Sequence, residues 1–186
     1  MKKITNINNE YLKLSYLKMI DSMHEYISNT KWGIRIPIKA KKVSLIDYKT
    51  FNFFGLYNTE IYKLYKEIST LVKEKCIEKN INFERNYFHL LGNILDNDKI
   101  PKDVNLRMAP NFKIEFCGIY VIDSNLDQIS IDGNEIDLEP GLMVLLDPES
   151  KVLFNKMSDD LTILYFNISP LEYLHRQYYQ KWIPLV

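Results

Sequence analysis

The chain has 186 residues, 46% of them hydrophobic and 26% charged, with 24 basic and 24 acidic side chains. That length suits one domain, or a domain with an added arm, and suffices for a sizeable core without disulfides or metals. No apolar run approaches the ~20 residues of a membrane span, and zero net charge with only four arginines lacks the basic excess of a nucleic-acid binder.

In chain order, Met1-Lys2-Lys3-Ile4-Thr5-Asn6 leads into polar, Asn-rich sequence, which is not the pattern of a secretory leader. Leu12, Tyr16, Met19, Ile20, Met23 and Ile27 then recur at helical spacing, predicting an amphipathic helix over 9–28. Trp32, Ile34, Ile36 and Ile38 alternate with Gly, Arg and Pro, which is strand spacing with an edge-type proline. Lys39, Lys41 and Lys42 interrupt the apolar pattern as a solvated loop. They mark the softest joint, dividing an N-terminal helical and extended arm (1–41) from the main domain (42–186). The clearest helix is 59–79, where Ile61, Leu64, Tyr65, Ile68, Leu71, Val72 and Cys76 form one apolar stripe. Asn58 can cap its start and Asn80 can take the left-handed conformation at its end.

After residue 80 the period becomes strand-like. Segments rich in Ile, Val, Tyr and Phe predict strands at 86–95, 112–122, 126–131, 135–138, 142–147 and 161–168. Asp132-Gly133-Asn134 is a hairpin signal between the third and fourth of these. Pro140-Gly141 opens the next apolar run, Ser158-Asp159-Asp160 is a further turn, and Leu171 to Gln180 is expected as a short closing helix after Ser169-Pro170. Short, regularly spaced strands with helices grouped on the N-terminal side predict a β-rich α+β fold, a sandwich or jelly roll with helical buttresses.

The order of these pieces resembles the double-stranded β-helix of the iron(II)/2-oxoglutarate-dependent oxygenases, in the compact form encoded by phages and other viruses. The resemblance spans roughly residues 50–186. It rests on Phe51-Asn52-Phe53-Phe54 before the helix, the strand Tyr87-Phe88-His89-Leu90-Leu91-Gly92-Asn93, Cys117-Gly118-Ile119-Tyr120, Glu139-Pro140-Gly141 with its apolar run, Leu161 to Ile168, and the tail Lys181-Trp182-Ile183-Pro184-Leu185. It implies iron held by two imidazoles and a carboxylate, with open positions for oxygen and 2-oxoglutarate. The residues for that chemistry are missing. Val104-Asn105-Leu106-Arg107-Met108 stands where His-x-Asp or His-x-Glu is expected, no His follows Pro148 within Glu149 to Asn155, and Leu161-Thr162 replaces the basic anchor for 2-oxoglutarate. His24, His89 and His175 are the only histidines, and none has a carboxylate two residues on. His89 is expected as a half-buried structural residue, and the other two at surfaces. No metal or cofactor is expected.

Other groups read as ordinary structure. Cys76 and Cys117 are too few for a disulfide framework and are expected as buried, reduced thiols. Asp96, Asp98 and Asp103 match no calcium-loop spacing. Together with Asp123, Asp127, Asp159 and Asp160 they read as solvated turns. No phosphate-binding glycine loop and no serine-nucleophile motif occurs.

The C-terminal end is rich in Tyr173, Tyr178, Tyr179 and Trp182, with Arg176 and Lys181 between them. Either these rings fold back onto their own domain, or Tyr178, Tyr179 and Trp182 contact a partner, since interface hot spots favour such residues. Usage of 23 Ile, 20 Lys and 17 Asn against two Ala points to an AT-rich gene, common in phages, viruses and some bacteria. The expected function is therefore a non-catalytic double-stranded β-helix, a binding or assembly module that meets other protein subunits or its own copies. A virion or virion-assembly role in the host cytoplasm is its most concrete version. The alternatives are an oxygenase with displaced ligands and a metal-free, cupin-like small-molecule binder.

Overall fold

Asparagine side chains start the helices. Asn8 Oδ1 accepts from Tyr11 N (3.0 Å) at α1 (Asn9–Asn29), Asn58 Oδ1 from Ile61 N (2.9 Å) at α2 (Thr59–Glu78), and Asn82 Oδ1 from Arg85 N (2.8 Å) at the single turn α3 (Phe83–Asn86). Each meets a backbone donor that the helix itself leaves open. Asn80 ends α2 at φ 55°, in the expected left-handed conformation. The computed structural model describes residues 1–29, 52–56, 58–97, 100, 114–173 and 182–186, with no side-chain description at 20–29, 156 and 173. The strand expected at Trp32–Ile38, the boundary at 41/42 with its lysines, Asp98, Asp103, Asn105, Arg107, and the closing helix beyond Tyr173 with His175, Tyr178 and Tyr179 lie outside the described residues. So do the side chains of Ile20, Met23, His24 and Ile27.

The strands are β1 (Lys2–Lys3), β2 (Phe88–Asp96), β3 (Phe116–Asp123), β4 (Asp127–Ile131), β5 (Asn134–Leu138), β6 (Leu142–Leu146), β7 (Val152–Lys156), β8 (Thr162–Pro170) and β9 (Ile183–Pro184). They form a six-stranded sheet in the order β1-β6-β3-β8-β2-β9 and a three-stranded sheet in the order β5-β4-β7, and every pair is antiparallel. The six predicted long strands are present. β7 was not expected, nor were the two-residue strands β1 and β9, and β8 continues through Pro170 instead of ending at 168. Asp132 (φ 51°) and Gly133 (φ 86°) both take positive φ in the β4–β5 hairpin, the backbone of a type I′ turn that this dipeptide tolerates.

Alternation along the strands sorts side chains into two cores. Phe88, Leu90, Ile94, Leu164, Phe166 and Ile168 leave the outer face of the larger sheet and pack with Leu12, Tyr16 and Met19 of α1 and with the α2 stripe. Leu95, Ile119, Val121 and Ile163 leave the inner face and pack with Ile129, Leu138, Val152 and Phe154 of the smaller sheet. The layers are helices, larger sheet, smaller sheet. The first 19 residues, expected as part of an arm, share the outer core. Tyr120 OH donates to Asn9 Oδ1 (2.7 Å), and Lys13 pairs with Asp123 (2.7 Å). The chain is a β-rich α+β protein built on antiparallel sheets.

Two expectations need correcting. Leu71 is only partly buried against the outer core, because the helix turns it to the margin of the stripe, whereas Ile68 is fully buried. Asp127 is not a solvated turn residue. It is 0% exposed, and its carboxylate accepts from Ser124 Oγ (2.6 Å), Asn125 N (2.8 Å), Ser158 Oγ (2.9 Å) and Ser158 N. It joins the start of β4 to the β7–β8 turn.

Candidate binding site on the inner face

β2 and β8 place a row of polar side chains on the inner face, at the end of the larger sheet away from Leu95 and Ile163. By alternation these are His89 and Asn93 on β2, and Tyr165, Asn167 and Ser169 on β8. The register puts His89 opposite Ser169, Leu91 opposite Asn167, and Asn93 opposite Tyr165. On the other side of β8, Asn167 faces Cys117 and Tyr165 faces Ile119 of β3. All five polar residues are buried, so each polar atom needs a partner or carries a desolvation cost of about 1–3 kcal/mol.

Tyr165 OH donates to Asn167 Oδ1 at 2.7 Å. Asn167 is 1% exposed, and its Nδ2 has no hydrogen-bond partner among the described residues. His89 Nδ1 bonds the carbonyl of Tyr87 at 2.7 Å, so that nitrogen carries the proton and Nε2 is the acceptor of the neutral ring. Burial lowers the His89 pKa below its usual value, and the bond to Tyr87 offsets only part of that. Cys117 Sγ lies 3.8 Å from the carbonyls of Leu146 and Asp147, a weakly bonded buried thiol.

The described residues of this face do not fit the iron of the oxygenases. Among the described residues no three His, Cys, Asp or Glu side chains gather where they could hold a metal. On β7, after Pro148, the residues that enter the inner core are Val152 and Phe154, and Leu161 is buried there where a basic anchor would stand. The described strands of this face offer amides, hydroxyls, one thiol and one neutral imidazole, which do not together make a facial iron site.

Of the expected partner residues, Tyr178 and Tyr179 lie outside the described residues. Trp182 is 5% exposed and buried in the inner core of its own chain. Asn93, Asn167 and Ser169 were not anticipated. The signal was present: a polar residue within a strand apolar on both faces, as at Leu161–Ile168, has no solvent side to turn to.

No protein-family model matches the chain, and no curated protein matches it. Among solved structures it is similar to a cupin protein from Bacteroides fragilis, with 20% identity, a TM-score of 0.28, and coverage of 47% of this chain and 70% of that one. A likeness at that level adds no argument about function. None of the described helices is long and apolar enough to cross a membrane.

Proposed function

We propose that the chain is a non-catalytic, metal-free double-stranded β-helix that binds a small molecule on the inner face of its larger sheet. The strand order supports the fold part of this reading. The chain leaves the larger sheet after β3, turns as the β4–β5 hairpin in the smaller sheet and returns as β6. It crosses again to β7 beside β4, then to β8 beside β3. A two-stranded ribbon wound in this way over two sheets is the jelly-roll path. The observation that carries the function is the Asn167 amide, buried among polar neighbours with its Nδ2 unpartnered. Fold alone fixes no activity, so the reading rests on this site.

The test compares wild type with Asn167→Leu in a thermal-shift screen of small metabolites. Compounds that raise the melting temperature of the wild type and not of the variant support binding at this face. Compounds that raise both equally, or none that raise either, remove it.

A second reading, assembly with other subunits, is favoured by a different observation. Tyr11, Leu14 and Leu17 on α1 are all exposed and follow one another at three-residue spacing, an apolar row on the helix surface. Sedimentation of wild type against Leu14→Glu tests it, and a monomer in both cases counts against assembly through this helix. The virion version of that reading rests on composition and on the resemblance to the compact phage and viral form, not on any residue.

A further inference from the structure

We infer that the ligand of the inner face is an uncharged, polar small molecule that presents a carbonyl, ring or hydroxyl oxygen to Asn167 Nδ2 and lies over Leu91, between Asn167 and Trp182. This rests on the binding reading above and narrows it to a chemical class.

The position follows from the register. Pro184 pairs with His89 and Ile183 with Leu90, so Trp182, one residue beyond the paired stretch, falls opposite Leu91. Ile183 packs with the outer core and Trp182 with the inner one, as alternation requires. Across β9, β2, β8 and β3 the inner face therefore reads Trp182, Leu91, Asn167, Cys117. Leu91 is the one partly exposed side chain of this row, and it stands next to the unpartnered amide and next to the indole. That suits a molecule with one apolar side and one oxygen-bearing edge.

The charge follows from composition. β2, β3 and β8 place no Lys, Arg, Asp or Glu on this face. The groups present are amides, hydroxyls, a thiol and the imidazole of His89, which burial holds neutral. An anion or cation brought here would lose its hydration with no opposite charge on β2, β3 or β8 to replace it, whereas a neutral oxygen exchanges water for the amide N–H at little cost.

The experiment uses the full chain in a Trp32→Phe background, so that fluorescence reports Trp182. Glucose, N-acetylglucosamine and nicotinamide serve as neutral probes, and citrate, 2-oxoglutarate and inorganic phosphate as anionic ones. At least one neutral probe is expected to change Trp182 emission saturably, with affinity reduced about tenfold or more in Asn167→Leu. Near-ultraviolet circular dichroism of that variant verifies its fold, and Asn167→Ser, which keeps a polar group, should retain part of the affinity. Anionic probes that bind with the same dependence on residue 167 would overturn the ligand class while leaving the binding reading intact. If no probe of either kind binds and Asn167→Leu melts higher than wild type, both fall, and the amide holds at most a structural water.

Discussion

Asp127 carries a large structural load for one side chain. Burial raises its pKa, but the bonds from Ser124, Ser158 and Asn125 outweigh that and leave it below the ordinary 3.8. A carboxyl group with a depressed folded pKa contributes stability that is complete above the unfolded value and is lost as pH falls through the folded one. Asp127→Asn turns one acceptor into a donor facing donors, and should cost about 2–4 kcal/mol at neutral pH. Its urea midpoint should also fall less than that of wild type below pH ~4. An unchanged midpoint at neutral pH would contradict this role. His89 has the opposite chemistry and the same direction in pH. Its folded pKa is lowered from 6.5, so the unfolded chain takes up a proton first, and stability declines as pH falls below that value. His89→Leu should flatten the stability profile between pH 7 and 5. Cys76 is inert by the same logic: burial, with Glu115 adding to it, pushes its thiol up to about 11. It should resist alkylation until the chain unfolds.

At the level of elements, α2 and the β4–β5 hairpin were legible because each answers to a local rule. The period of Ile61, Leu64, Ile68 and Val72 defines the buried face of α2, and all four are buried. Ile68→Ala should cost about 2–5 kcal/mol in chemical denaturation, and Leu71→Ala distinctly less, since Leu71 is only partly covered. β7, β1 and β9 were not legible. Val152–Lys156 pairs with β4 across the intervening β5 and β6 instead of through a hairpin turn that would mark it, and β1 and β9 have two residues each, existing only because β6 and β2 offer them edges. The polar row of the inner face was hidden for a related reason: strand alternation says that Asn167 and Ser169 share a side with Ile163 and Tyr165, but only the second sheet makes that side an interior. Gly118 shows the same dependence on distant partners. A Cβ there would lie 2.3 Å from the Phe166 ring and 2.7 Å from the Val144 carbonyl. Gly118→Ala should therefore destabilise by about 1–3 kcal/mol despite its small size.

Across the whole molecule, the last five residues tie the layers together. Leu185 N donates to Phe88 O (2.7 Å), Val186 N to Tyr65 OH (2.9 Å), Tyr65 OH to Pro184 O (2.9 Å), and Ser69 Oγ to Val186 O (2.6 Å). Leu185 enters the outer core and Trp182 the inner one, so this short segment straddles the edge of β2 and touches both. Asn52 also engages β2, accepting from Gly92 N (3.0 Å) and donating to Leu90 O (2.8 Å). Backbone groups at an uncovered strand edge invite pairing with another chain, and here β9 and Asn52 occupy them. The consequence for Trp182→Ala is the reverse of a partner-contact effect. Removing a buried indole should lower the stability of the isolated chain by about 3–5 kcal/mol in urea unfolding. The same loss should appear at every protein concentration, because the contact is within one chain. A hot-spot residue at a subunit interface would instead shift the dissociation constant and make the unfolding midpoint depend on concentration. If Trp182→Ala unfolds at the wild-type midpoint and only its oligomeric state changes in sedimentation, the indole belongs to an interface and the segment does not close the core.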